Sequence, residues 1–400
     1  MKIFSLQLLA TLMLALPLAA CSLLGPAPGA FVPAAAVPAT AAGGAAVLLP
    51  DGRVAAVGAS GLAIYDPLAD RWQARAGPPG GGFPFGLLAL PDGTLFMLRA
   101  FQGGPDQRAL LYRPAEDRWS LTRPMLELRT NPSVTLLTDG RVLVAGGLGA
   151  QGPSIALASA EIYDPANDTW SPTAPMAHRR FFPATTLLRD GRVLFAGGDE
   201  NGSGVLAAEV YDPRANRWTD AGSLSYQAPR PLTVRLHDGR VLLCVGFTFF
   251  QGPNPSAEIY DPRANAWATA PNAPSAGGGS IVLLHDGRAL ALKVTLNPTG
   301  ALFRAEIFDP RTSSWSASPV GTGRAGSAVA LKDGRVLVVG EGAGWIYDPA
   351  ASPPPPPGQE GLGSSRLSLV LAAVAACLAL LVLAQYVVTR LNERRRSRPV

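Results

Sequence analysis

The stretch Ser133-Val134-Thr135-Leu136-Leu137-Thr138-Asp139-Gly140-Arg141-Val142-Leu143-Val144-Ala145-Gly146-Gly147 decides the fold. Two apolar runs flank Asp139-Gly140. That is the strongest short hairpin signal, and it predicts a type I′ turn with both central residues at positive φ. Gly146-Gly147 ends the second strand. Further on, Glu161-Ile162-Tyr163 reads as a third strand. Asp164-Pro165 opens a turn, with the aspartate as side-chain acceptor and the proline setting φ. Thr169-Trp170-Ser171 is a fourth strand. Val142 to Ala145 is apolar on both faces of its strand, so such sheets stack face to face. Radial packing about an axis satisfies this and protects the edges.

The unit recurs along the chain. Asp-Gly stands at 51, 92, 139, 190, 238, 286 and 333, followed by Arg everywhere but at the second. A Tyr-Asp-Pro-like triplet has its aromatic at 65, 112, 163, 211, 260, 308 and 347. Trp follows seven residues later at 72, 119, 170, 218, 267 and 315, at spacings of 47, 51, 48, 49 and 48. Self-similarity at this period means a repeat architecture, not several unrelated domains.

Paired glycines after the second strand, Tyr-Asp-Pro ending the third and Trp in the fourth resemble Kelch repeats over about residues 40–350. The resemblance implies an all-β, seven-bladed β-propeller forming one domain, 31–350. Repeats three and four match fully. Repeat two has Tyr112-Arg113-Pro114 and no glycine pair. Repeat six has Leu292-Lys293-Val294 for the glycines and Phe308 for Tyr, and repeat seven lacks its Trp. After Tyr347-Asp348-Pro349 no fourth strand follows. The apolar segment Phe31–Val37 is expected to supply it and close the ring.

Composition agrees with this class. Gly at 44 and Pro at 38 in 400 residues favour turn-rich β-structure without a collagen period. The net charge of +5 lies at the ends: residues 1–20 and 358–400 hold seven basic and two acidic residues, leaving 27 of each in the body. A neutral body argues against nucleic acid as a partner. Three cysteines make no disulfide framework, and Cys244 reads as a buried small hydrophobe.

Both ends address a membrane. Residues 1–20 read as a signal peptide ending Leu18-Ala19-Ala20-Cys21, which matches the lipobox of bacterial lipoproteins and marks Cys21 for lipid attachment. Residues 21–30 are a tether. Residues 351–366 form a Pro/Gly/Ser-rich spacer, extended through its prolines. Leu367 to Thr389 is 23 residues without a charge, about 34 Å of helix at roughly 1.5 Å per residue, which spans a bilayer. The arginines of 390–400 place that tail in the cytoplasm and the propeller outside.

The Kelch resemblance implies a ligand face built from the fourth-to-first and second-to-third strand loops. Arg129, Arg180, Arg230 and Arg324 precede the first strands, with His178 and Tyr226 nearby; Asp199, Glu200 and Phe247 lie on second-to-third loops. Converging guanidiniums suit a carboxylate or an acidic sugar. The other reading has these arginines bonding loop carbonyls around the ring. Galactose oxidase chemistry needs two His, two Tyr and a Cys–Tyr cross-link around copper. Here only His178, His237 and His285 exist, and His237 and His285 precede Asp-Gly turns. No metal or cofactor is expected. The leading expectation is a non-enzymatic, membrane-anchored propeller binding a protein or glycan at the bacterial surface. The competing class is an enzyme on an acidic sugar, similar to a sialic-acid epimerase.

Overall fold

The computed structural model describes residues 29–99, 108–149, 155–245, 247–248, 252–253, 257–270, 279–297, 300–322 and 325–351. The signal segment, Cys21, Arg324, the spacer from Ser352 and the expected span 367–389 lie outside the described residues. Seven four-stranded antiparallel sheets account for the main body, and six of them run in simple sequence order. Blade 3 shows the pattern: Ser133–Leu136, Val142–Ala145, Ala160–Asp164 and Thr169–Pro172. The first strands of successive blades touch one another in a closed circle, from Ala45–Leu48 through Ser133–Leu136 to Ala325–Ala330 and back. The protein is a seven-bladed β-propeller with these strands nearest the axis.

The core lies between blades. Val142 and Val144 pack with Leu90, Phe96 and Leu98 of blade 2. Leu143 and Ala145 of the same strand pack with Val193 and Phe195 of blade 4. A strand with neighbours on both faces must be apolar throughout, which is why alternation is lost there.

The Asp-Gly turns differ from expectation. Only the glycines have positive φ, between 86° and 95°; the aspartates do not. Leu137 N–H donates to Arg141 O (2.8 Å) and Gly140 N–H to Leu137 O (3.1 Å), which makes a three-residue loop with glycine in the left-handed position. This loop leaves Asp139 free to cap the turn. Its carboxylate accepts from Arg141 N–H at 3.1 Å and from Arg141 Nε at 2.9 Å. The Arg of Asp-Gly-Arg is therefore part of the turn.

Neighbouring blades are clipped by a latch that the repeat encodes. Tyr163 and Trp170 stand opposite each other with rings 5.0 Å apart. Tyr163 Oη donates to Asp168 (3.0 Å), a residue at φ 48°. Asp168 also accepts the N–H of Arg123 in blade 2 (3.1 Å), and Trp170 Nε1 donates to the carbonyl of Arg123 (2.9 Å). The same arrangement holds Ala76 through Asp117 and Trp119, and Ala174 through Asn216 and Trp218.

The ring closes as expected in kind, with a shorter strand. Ala30–Ala34, not 31–37, pairs with Gly344–Asp348 and completes blade 7. Phe31 faces Tyr347 at 5.1 Å, where other blades have Trp. Ala35 then serves blade 1 as the latch residue: its N–H donates to Asp70 (3.0 Å) and its carbonyl accepts from Trp72 (3.1 Å). Ala30 lies opposite Asp348, so both chain ends leave blade 7 on the face of the hairpin turns.

Candidate functional site

Two of the expected arginines are structural clamps. Arg180 is fully buried. Its Nη2 donates to Glu209 at 2.7 Å, and its Nη1 donates to the carbonyls of Gly197 (3.0 Å) and Ala207 (2.7 Å). Arg129 repeats this in blade 3: Nη2 to Glu161 at 2.7 Å, Nη1 to Gly146 and Ser159 at 2.9 Å each. Each glutamate also caps backbone N–H groups at the start of the same loop, Leu126 on Glu161 and Ala177 on Glu209. The guanidiniums tie the loops to the blade wall and present nothing to a ligand. Burial pushes Arg180 down from the usual range, and the Glu209 charge opposes that.

Blade 5 lacks the clamp. Ala228 stands in Arg180's place, since its carbonyl accepts from Gly198 N–H (2.8 Å) as that of Arg180 accepts from Gly147 N–H (2.9 Å). Val245 replaces the glycine and packs with Ala228, Ala221 and Leu224. Glu258 is nonetheless fully buried, with its carboxylate on Ser225 N–H (2.9 Å) and Ser225 Oγ. Burial pushes its carboxyl up, against the bonds from Ser225.

Arg230 sits two residues beyond the clamp position and belongs to a different cluster. Its guanidinium lies over the Phe182 ring, 3.8 Å from the centroid. Phe182 meets Phe85 edge-on at 6.2 Å and Phe181 at 5.5 Å. Phe83 and Phe85 of blade 2 are both exposed, as are Arg230 and Tyr226. Burial lowers the Arg230 pKa and the Asp199 charge opposes it. Phe182 and Arg230 directly precede the inner strands, so the cluster rims one end of the axis.

Phe182 has φ 52°. A bulky side chain in the left-handed region costs on the order of 1–3 kcal/mol. The equivalent residue of blade 3, Asn131 at φ 56°, is of a type that tolerates it. The strain brings the Phe182 ring under Arg230.

The opposite face carries the hairpin turns. A cleft of 560 Å³ there is lined by Arg189, Asp190, Asp238, Arg240, Asp261 and Arg263. Acids and bases alternate, and the pattern recurs one blade back at Asp139, Arg141, Asp212 and Arg214. This is the repeat itself. His237 and His285 lie on this face, each against the turn glycine of the next blade, Gly287 or Gly334.

A Kelch motif family model matches residues 129–177, the span from the Arg129 clamp to the loop entering blade 4. This chain is a Kelch-repeat β-propeller. Solved structures with the same fold include a fungal alcohol oxidase of the AA5 family in complex with copper, at 17% identity and TM-score 0.63. That match covers 83% of this chain and 79% of the other. A streptogramin B lyase aligns at 12% identity and TM-score 0.59, covering 80% of this chain and 98% of its own. Both likenesses are of fold. The described residues of this propeller do not fit a copper site. Among the described residues no three His, Cys, Asp or Glu side chains gather as ligands. Cys244 is buried in a strand with its thiol pushed up to about 12 by burial.

Proposed function

We propose that this Kelch propeller is a binding module, tethered to the membrane of a bacterial cell through Leu367–Thr389 and a lipidated Cys21, with its loop face turned to a protein or glycan ligand. The observation that carries this is the separation of the two faces. Both chain ends leave on the hairpin-turn face. The exposed aromatic and cationic side chains, Phe83, Phe85, Tyr226 and Arg230, crowd the other. Aromatic and arginine side chains are the usual anchors of recognition surfaces.

The competing enzyme reading rests on a cluster of four arginines, and the clamps of Arg129 and Arg180 take away two of them. No catalytic step is assigned to the remaining residues.

A photoreactive side chain placed at Phe83 on the loop face, or at Arg263 on the turn face, tests the reading in intact cells. Adducts are expected from Phe83 only. Adducts from Arg263 alone, or from both alike, overturn it. External protease is expected to remove the propeller and spare a tag after Val400; a protected propeller overturns the topology.

A further inference from the structure

Among the described residues, five of the seven seams between blades carry the indole–carbonyl bond: Trp72 to Ala35, Trp119 to Ala76, Trp170 to Arg123, Trp218 to Ala174 and Trp267 to Ala221, at 2.7–3.1 Å. The two seams that flank blade 6 do not. On one side Trp315 keeps its place against Phe308 at 5.0 Å, yet its Nε1 is buried with no hydrogen-bond partner. On the other side Phe31 occupies the Trp position of blade 7 and has no N–H to give.

The second half of the latch fails at the same blade. In blades 1 to 5 a tyrosine hydroxyl donates to an Asp or Asn five residues on: Tyr65 to Asp70, Tyr112 to Asp117, Tyr163 to Asp168, Tyr211 to Asn216 and Tyr260 to Asn265. Blade 6 has Phe308 and Ser313 there, and Phe308 cannot donate. Apolar packing is kept: Leu290, Leu292, Ala305 and Ile307 are buried against Phe31, Val336 and Val338. Blade 6 keeps apolar contact and the bond from Arg240 Nη2 to the Pro310 carbonyl (3.5 Å), and it lacks the indole and tyrosine bonds that blades 1 to 5 carry. A buried donor left unmade, as at Trp315, weakens a seam further.

We infer that the ring opens at blade 6 before it opens anywhere else, as a local and reversible loosening of one blade against blades 5 and 7. Local opening of this kind has its own free energy, below that of global unfolding. The closing strand Ala30–Ala34 borders the loosened seam, so the N-terminal strand is the piece of the ring such an opening frees first. The proposal uses no property of the loop-face ligand.

Amide hydrogen exchange on the full chain in detergent reads this out blade by blade. Amides of Ala305–Phe308 are expected to exchange about tenfold faster, or more, than the equivalent Ala160–Tyr163 in blade 3, as loss of one or two such bonds predicts. Phe31→Trp, which returns the indole donor, is expected to slow exchange in blade 6. Trp218→Phe, which removes a latch elsewhere, is expected to speed exchange at the seam of blades 3 and 4. Equal protection of blades 3 and 6 overturns the inference. So does a Trp218→Phe variant with unchanged exchange, because the latch would then not set the opening.

Discussion

Trp170 and Arg123 are 47 residues apart in sequence, and the indole of one meets the carbonyl of the other at 2.9 Å. The N–H of that same Arg123 donates to Asp168, the residue on which Tyr163 also rests. A single residue of blade 2 is thus gripped at both its donor and its acceptor by blade 3. Trp170→Phe keeps an aromatic ring and removes only the N–H. It is expected to cost about 0.5–1.5 kcal/mol, the net worth of one such hydrogen bond. A fall in the denaturant midpoint at unchanged slope checks this.

Arg180→Ala strands Glu209 in the wall of blade 4. Breaking a buried ion pair from one side costs about 3–5 kcal/mol. Glu258 has no arginine, and burial already favours its neutral form. Glu258→Gln is therefore expected to cost less than about 1 kcal/mol, within the range of a neutral isostere that keeps one acceptor. Equilibrium unfolding of the two variants side by side gives the ranking. Equal losses would refute the distinction between blades 4 and 5.

The repeat made much of this legible. Asp-Gly, Tyr-Asp-Pro and Trp at a common period fixed the blades, and the missing fourth strand of the seventh repeat pointed to the N-terminal segment. The turn type was misread because Asp-Gly alone does not show loop length; Leu137, the last paired residue, makes the loop three residues long. The bonds from Arg129 and Arg180 to loop carbonyls follow the second reading of these arginines; their glutamate partners were missed although the signal was present. Glu161, Glu209, Glu258 and Glu306 each stand two residues before the aromatic of the third strand. Counting back from Pro132, Pro183 and Pro231 would also have separated Arg230 from Arg129 and Arg180, since it adjoins its proline and they do not. The strained backbone of Phe182 has no sequence signature.

The turns predict the response to acid. Burial pushes the Asp139, Asp238, Asp286 and Asp333 carboxyls up, but the bonds from the arginine two residues on outweigh it and hold all four below the usual range. Their contribution is therefore present above the unfolded value near 3.9 and is lost as pH falls through the lowered folded values. Melting temperatures are expected to drop progressively below about pH 4. An Arg141→Gln, Arg240→Gln double variant should show a shallower drop.

The latch tyrosines predict the response to alkali with the opposite sign. Burial raises Tyr65, Tyr112, Tyr163, Tyr211 and Tyr260, and for the first three the acceptor aspartate adds to it. The folded ring keeps these protons when the unfolded chain begins to lose them near pH 10, so stability falls as pH rises from there. Phenolate absorbance from these residues is expected to appear together with loss of β-structure, not before it.

Phe182→Asn places a residue suited to φ 52° where a bulky one is strained. The variant is expected to melt within a few degrees of the parent, because relieved strain of about 1–3 kcal/mol offsets the lost ring contacts. It is also expected to lose the loop-face cross-linking, because Arg230 loses its platform. A clear drop in melting temperature with cross-linking intact would make Phe182 a packing residue only.

The pairing of Ala30 with Asp348 has a mechanical side. A pull applied through both termini enters and leaves the ring at one corner of blade 7. It acts across the ladder between two adjacent strands, so it loads their bonds one after another from the Ala30–Asp348 end and not all at once. Peeling of this sort needs little force, and each step shortens the remaining seal. The six other blades lie outside the line of tension. Under load the propeller would come undone like a tape lifted from its end, by Ala30–Ala34 leaving first and the remaining blades staying folded until the circle has already been broken.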